Sequence, residues 1–299
     1  MNFQYSNEIC DAVVQKRALK RSQIMKKSSL ILLSLLFGTI WNHSYAQPNK
    51  SVPKEIKKAF MAKADTLNGH MLLYRETLLS PASPDSVSLV VFLHGASGRG
   101  NDNLSQLKGT GVRDIYDYLS QNNIAAYFIA PQCPQTSSWT GRGFSGHRRP
   151  HRGPYGPIQY DIKQQMVDTI PYVEYLMPFL EKYVSEHPIN TSKIYIVGRS
   201  MGAAGTWLLV ANNPNFFTAA MMSSGGYRGK DIEAFLKTPI ICTVGTQEPS
   251  FFRIKQLVER LQSAGADATF IPLNGADHRE ACDISFSKEN LDLLFSKHR

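Results

Sequence analysis

Short apolar runs, separated by polar stretches that carry Gly and Pro, set the rhythm of this chain. Val87–Leu93, Ile124–Ala130, Ile194–Val197, Phe217–Ser223, Ile240–Gly245 and Thr269–Leu273 are almost continuously apolar. Such runs predict strands buried on both faces, as in the middle of a parallel sheet. Leu72–Leu79 alternates imperfectly and runs into the Ser/Pro-rich stretch Ser80–Asp85, which predicts a further strand and a loop. Between these runs, Ala203–Ala211, Asp231–Lys237, Phe252–Ala264 and Ser287–Lys297 predict helices, as does Gln159–Ser185 with a kink at Pro171 or Pro178. The polar, Pro-interrupted Gln47–Lys57 leads into a short helix expected to end near Ala64, and Pro131 is expected to stop the strand before it. Strands alternating with helices predict an α/β domain: a mostly parallel sheet of about eight strands with helices on both faces.

The N-terminus departs from this pattern. Met25–Ser29 carries two lysines, Leu30–Trp41 is an apolar run, and Ser44-Tyr45-Ala46 puts small residues at −3 and −1 of a cut before Gln47. This is the three-part pattern of a secretory signal peptide, starting at Met25. The apolar run is shorter than a bilayer span, which disfavours the alternative of a retained anchor. Residues 1–46 are therefore expected to be an upstream extension plus signal peptide, and residues 47–299 the folded α/β domain, exported to the periplasm or beyond without stable membrane insertion.

Removing that leader lowers the formal net charge from +9 to +5, because residues 1–46 hold six basic and two acidic residues. A charge of that size does not argue for nucleic acid. Of the four cysteines, Cys133, Cys242 and Cys282 lie beyond the leader, which permits one disulfide and a free thiol, or three buried thiols. No pair has metal-ligand spacing, so a zinc site is not expected; no cofactor is expected either, because the serine chemistry centred on Ser200 needs none.

The chemistry gathers around Gly198-Arg199-Ser200-Met201-Gly202. Gly-x-Ser-x-Gly alone would arise by chance in roughly one chain in ten of this length. Here a buried strand leads into it and a helix of small residues follows, the context a nucleophile elbow requires. Ser200 needs a base and the base an orienting acid. His278 follows in Asn274–His278, a turn after the last apolar strand. The acid is expected past the preceding strand, at Glu248 in Val244–Glu248. Asp277 is the rival because it adjoins His278, and Asp283 is a third choice. Two backbone amides, of Met201 and Ala96, are the expected oxyanion donors.

These segments resemble the α/β-hydrolase superfamily, in its branch of secreted esterases and predicted peptidases. The branch is similar to the phospholipase/carboxylesterase, dienelactone-hydrolase and polyhydroxybutyrate-depolymerase-like groups. The resemblance is carried by Leu93–Ala96 with Arg99–Asn103, Ala130–Pro134 with Trp139, Ile194–Trp207 and Gly275–His278, spanning roughly Leu72 to the C-terminus. It implies an exported serine hydrolase that cleaves carboxylic esters through an acyl-enzyme. Peptide-bond hydrolysis by the same fold and a catalytically silent glycan binder remain alternatives. Two departures stand out: Glu248 occupies a place usually held by Asp, and Ala203 one often held by Gly.

Gly141–Pro157 is rich in Gly, Pro, Arg and His, with Gly141, Gly143 and Gly146 in a literal Gly-x-Gly-x-x-Gly. No strand leads in and no helix follows, so a dinucleotide site is not implied. The segment reads as a solvated loop, or as a lid whose Arg148 and Arg149 favour an anionic, glycan-linked or small-molecule ester. Arg199 is a second candidate for a substrate carboxylate, or else a structural ion pair, and Trp139 for a wall of the substrate pocket.

Overall fold

The computed structural model describes residues 52–67, 69–80, 87–141 and 170–298. The expected signal peptide, the basic Arg142–Pro157 stretch with Arg148 and Arg149, and the first part of the Gln159–Ser185 helix lie outside them. Eight strands form one sheet: β1 (Met61–Leu67), β2 (His70–Leu79), β3 (Ser88–Leu93), β4 (Ala126–Gln132), β5 (Ile194–Arg199), β6 (Ala219–Ser223), β7 (Ile240–Gly245) and β8 (Ala268–Leu273). Their order is β1-β2-β4-β3-β5-β6-β7-β8. The pairs β1–β2 and β2–β4 are antiparallel, and the rest are parallel. The helices are α1 (Lys54–Ala59), α2 (Thr110–Gln121), α3 (Val173–Glu186), α4 (Met201–Asn212), α5 (Phe251–Ser263), α6 (His278–Ile284) and α7 (Lys288–Phe295).

The two-residue period of the strands divides the core. Leu89, Val91 and Leu93 of β3 and Ile194 and Ile196 of β5 face one side, where they pack with Leu180 of α3, Trp207 of α4 and Val258 of α5. Val90 and Phe92, with Tyr195 and Val197, face the other, against Ile115 of α2 and Leu291 of α7. Covering both faces is what makes the strands read as unbroken apolar runs.

Three expectations need correction. The helix near the start ends at Ala59, because Phe60 turns extended and buries its ring edge-on against Phe128. Met61–Leu67 is then an edge strand with mostly exposed residues, so it lacks the apolar signature of its neighbours. Pro131 does not end β4. The ladder to β3 stops at Val91↔Ile129, so Pro131 has no β3 residue opposite it, while pairing to β2 continues through Tyr74↔Pro131. The third concerns α6, which begins at His278 where a turn is expected. Pro178 lies inside α3.

This topology sets the site. After β4 the chain crosses β3 to form β5 on its other side, so the connections leaving β3 and β5 diverge. A crevice opens at such a switch point, at the carboxyl ends of the strands. The His94 loop and Ser200 stand at its two lips.

Candidate active site

Ser200 joins β5 to α4 with φ 53° and ψ −117°, a region a residue with a side chain occupies only when its surroundings hold it there. Its N–H donates to Ser223 O at 2.8 Å, tying the strained residue to the end of β6. A Cβ on Gly202 would stand 1.9 Å from Leu93 O, and one on Gly198 would meet Gly202 O and Thr206 Oγ1 at 2.4 Å. Only glycine at both positions lets the turn close so tightly, which is the physical content of Gly-x-Ser-x-Gly. Ala203 is fully buried in the core.

Ser200 Oγ lies 2.9 Å from His278 Nε2, and His278 Nδ1 lies 2.7 Å from Glu248 Oε2. The Glu248 side chain is 1% exposed, whereas that of His278 is 52% exposed. Burial alone would raise the Glu248 pKa, but hydrogen bonds from His278, Ser224 Oγ (2.6 Å) and the Gly245 N–H (2.9 Å) outweigh it and hold the acid below its ordinary value. An ionised carboxylate can only accept, so Nδ1 carries the proton and Nε2 presents a lone pair to the serine hydroxyl. The hydrogen bond to Glu248 raises the His278 pKa, against the opposing effect of burial.

Asp277 has a different task. Its carboxylate accepts from the amides of Arg279 (2.8 Å) and Glu280 (2.9 Å), and Glu280 Oε2 accepts from the Asp277 N–H at 3.0 Å. This capping box starts α6 and sets His278 as its first residue. Asp283 pairs with Arg199. His298, the other histidine beyond the elbow, lies past α7 and does not line the cleft. Sequence reasoning missed Ser224, which holds the second oxygen of Glu248. Its place just past the end of β6, on the same rim as Ser200, was the available signal.

The loop after β3 is held from behind. His94 is buried, its Nε2 accepts from the Cys133 N–H at 3.0 Å, and its Nδ1–H donates to Gly95 O at 2.6 Å. Burial pushes its pKa down to about 4, so the ring stays neutral. Trp139 Nε1 donates to His94 O at 2.9 Å. Trp139 is fully buried and does not line the cleft, which corrects its expected role as a pocket wall. The Arg99–Asn103 and Pro131–Pro134 segments interlock through Gln132, which donates to Asp102 Oδ1 (2.7 Å) and accepts from the Asn103 N–H (2.7 Å). Among the described residues, neither the Ala96 nor the Met201 N–H meets an acceptor.

The cleft above has a volume of about 600 Å³, and Ala96, Lys108, Arg199, Ser200, His278 and Arg279 are among its lining residues. Cys133, Cys242 and Cys282 are buried free thiols, and burial raises Cys242 to about 12 and Cys282 to about 11. Among the described residues, no group of three His, Cys, Asp or Glu is placed to hold a metal, and no helix is long and apolar enough to cross a membrane.

No protein-family model matches the chain, and no curated protein matches it. Among solved structures it is similar to a thermostable esterase, at 26% identity and a TM-score of 0.67 over 82% of this chain and 64% of that one. The chain thus spans less than two thirds of that esterase. It is also similar to the feruloyl esterase module from Clostridium thermocellum, at 14% identity and a TM-score of 0.54 over 87% of this chain and 97% of that one. An S-formylglutathione hydrolase from Staphylococcus aureus matches at 14% identity and a TM-score of 0.54, over 79% of this chain and 96% of that one. With its eight-stranded, mostly parallel sheet and its serine turn after β5, the chain has the α/β-hydrolase fold.

Proposed function

We propose that this chain is a serine hydrolase that cleaves carboxylic esters through an acyl-enzyme on Ser200. The observation that carries the reading is the unbroken relay Ser200–His278–Glu248, with Ser200, His278 and Ala96 lining one cleft and the Met201 N–H directly following the nucleophile in the chain. The Ser200 oxygen attacks the ester carbonyl while its proton passes to His278 Nε2. The carbonyl oxygen becomes an oxyanion and accepts from the Ala96 and Met201 N–H groups, each such donor contributing on the order of 3 kcal/mol to the transition state. As the tetrahedral intermediate collapses, the C–O bond to the alcohol breaks and the alcohol takes the proton from Nε2. A water then gives its proton to Nε2, attacks the acyl carbon, and releases the carboxylic acid and free serine. Glu248 keeps Nδ1 protonated and stabilises the imidazolium that forms twice in the cycle.

The finer reading is an acyl ester on carbohydrate, met outside the cytoplasm. The leader pattern Met25–Ala46 supports the compartment, and the likeness to an esterase and a feruloyl esterase module supports the bond class. The test is a panel of acetyl, feruloyl and longer acyl groups on sugar and non-sugar alcohols, with matched anilides. Turnover of esters well above that of anilides is expected. Cleavage of peptide anilides alone, or a folded chain that neither turns over esters nor reacts with a fluorophosphonate, would replace it with a peptidase or a silent binder.

A further inference from the structure

The residue just before the nucleophile is charged and built into the cleft wall. Arg199 ends β5, and its side chain is only 12% exposed. Room for its guanidinium depends on Gly109, whose φ is +96° and where a Cβ would come within 2.5 Å of Nη1. Two contacts hold the head group, Asp283 Oδ1 at 3.5 Å and Lys108 O at 3.4 Å, and both are longer than the 2.7–2.9 Å typical of a strong arginine–carboxylate bond. A guanidinium has five N–H donors, so three have no acceptor among the described residues.

The rest of the cleft has the same sign. Lys108 and Arg279 line its exposed walls, and neither pairs with a carboxylate among the described residues. Lys108 Nζ donates to Ser105 Oγ at 3.0 Å. Against these three cations the lining offers one carboxylate, Asp283, already engaged by Arg199. A concave, partly desolvated site with surplus positive charge concentrates anionic ligands and discriminates against neutral ones.

We propose that Arg199, assisted by Lys108 and Arg279, binds a carboxylate carried by the ester itself, so that the preferred substrates are half-esters or esters of carboxylate-bearing alcohols. The inference rests on the reading of Ser200 as nucleophile. Its planar fork suits Arg199 to a carboxylate better than a lysine ammonium would be, and the cleft is of a size to enclose a small acid.

The test pairs each anion with its neutral isostere. The 4-nitrophenyl half-ester of succinate is compared with methyl 4-nitrophenyl succinate, and 4-acetoxybenzoate with its methyl ester. These place the charge on the acyl or the alcohol side respectively. One pair is expected to show kcat/KM at least about tenfold higher for the anion, the scale of one charged hydrogen bond. The preference shrinks as salt rises. Arg199→Gln brings the ratio towards one, and Lys108→Gln with Arg279→Gln, both on exposed residues, lowers it several-fold. No preference in either pair, or an equal loss on all four esters in Arg199→Gln, would assign Arg199 a structural role and overturn the proposal. If none of the four esters turns over and the folded chain does not react with a fluorophosphonate, the hydrolase reading fails, and calorimetry on Ser200→Ala decides the binding claim. Monomethyl glutarate binding about tenfold tighter than dimethyl glutarate supports it, and equal or absent binding overturns it.

Discussion

Glu248 Oε2 lies 2.7 Å from Nδ1 of His278, whereas the carboxylate of Asp277, the residue next to His278 in the chain, faces the amides of Arg279 and Glu280. Two acids adjoin one imidazole, and backbone geometry separates their work. Glu248 arrives from the end of β7 with a side chain long enough to cross to His278 and still accept from Ser224 and Gly245. Asp277 sits in the extended conformation of a helix cap and spends both acceptor contacts on α6.

Substitution separates the two acids. Glu248→Gln leaves the size of the side chain but removes its charge and permits the wrong imidazole tautomer, so kcat on an aryl acetate is expected to fall by about 10²–10⁴-fold. Asp277→Asn still caps the helix, since Asn and Asp are equivalent there, and kcat should stay within a few-fold of the parent. Steady-state kinetics on the two variants check this. The reverse ranking would move the orienting acid to Asp277.

The pH profile follows from the same hydrogen bond. His278 acts as a base only when Nε2 is unprotonated, and the bond to Glu248 raises its pKa above the ordinary 6.5. On the acid side, kcat/KM should therefore rise with pH through a midpoint above that value, and lose activity as pH falls through it. Glu248→Gln removes the raising influence and should move the residual profile's midpoint downward. A midpoint near the ordinary carboxylate range in the wild type would point to a different titrating group.

Trp139 offers a test of support from behind the loop. Trp139→Phe keeps a buried, smaller aromatic ring but deletes the N–H that holds His94 O at 2.9 Å. Leaving that buried carbonyl without its donor is expected to destabilise the fold by about 1–3 kcal/mol, read from denaturant unfolding. Because the carbonyl it holds immediately precedes Gly95 and Ala96, kcat should fall more than KM rises. A rise in KM alone would restore Trp139 to the substrate pocket.

Much of this arrangement is legible in the chain because burial writes itself as continuous apolar runs. β3, β5 and β7 carry no charge before their last residues, and the chain order Ser200, Glu248, His278 names three residues that meet in the fold. What escaped reading lacks that signature. β1 pairs on one side only and is mostly exposed, so its alternation of Lys63, Asp65 and Thr66 with small residues imitates a surface helix. α6 is about two turns long, too short for a 3.6-residue period to declare itself, and only the Asp277–Glu280 capping box marks its start. Trp139 misled because a tryptophan in the loop after β4 suits a pocket wall as well as a brace, and its burial and Nε1 contact tell them apart. Ser224 belongs to no motif, and only its place just past the end of β6 pointed to it.

The central claim is that Ser200 is the nucleophile. Its most direct test is the initial rate of aryl acetate hydrolysis by purified, folded Ser200→Ala beside the wild type. A fall of about 10³-fold or more is expected, since the acyl-enzyme cannot form without the hydroxyl. A Ser200→Ala protein that hydrolyses the ester at the wild-type rate would contradict it.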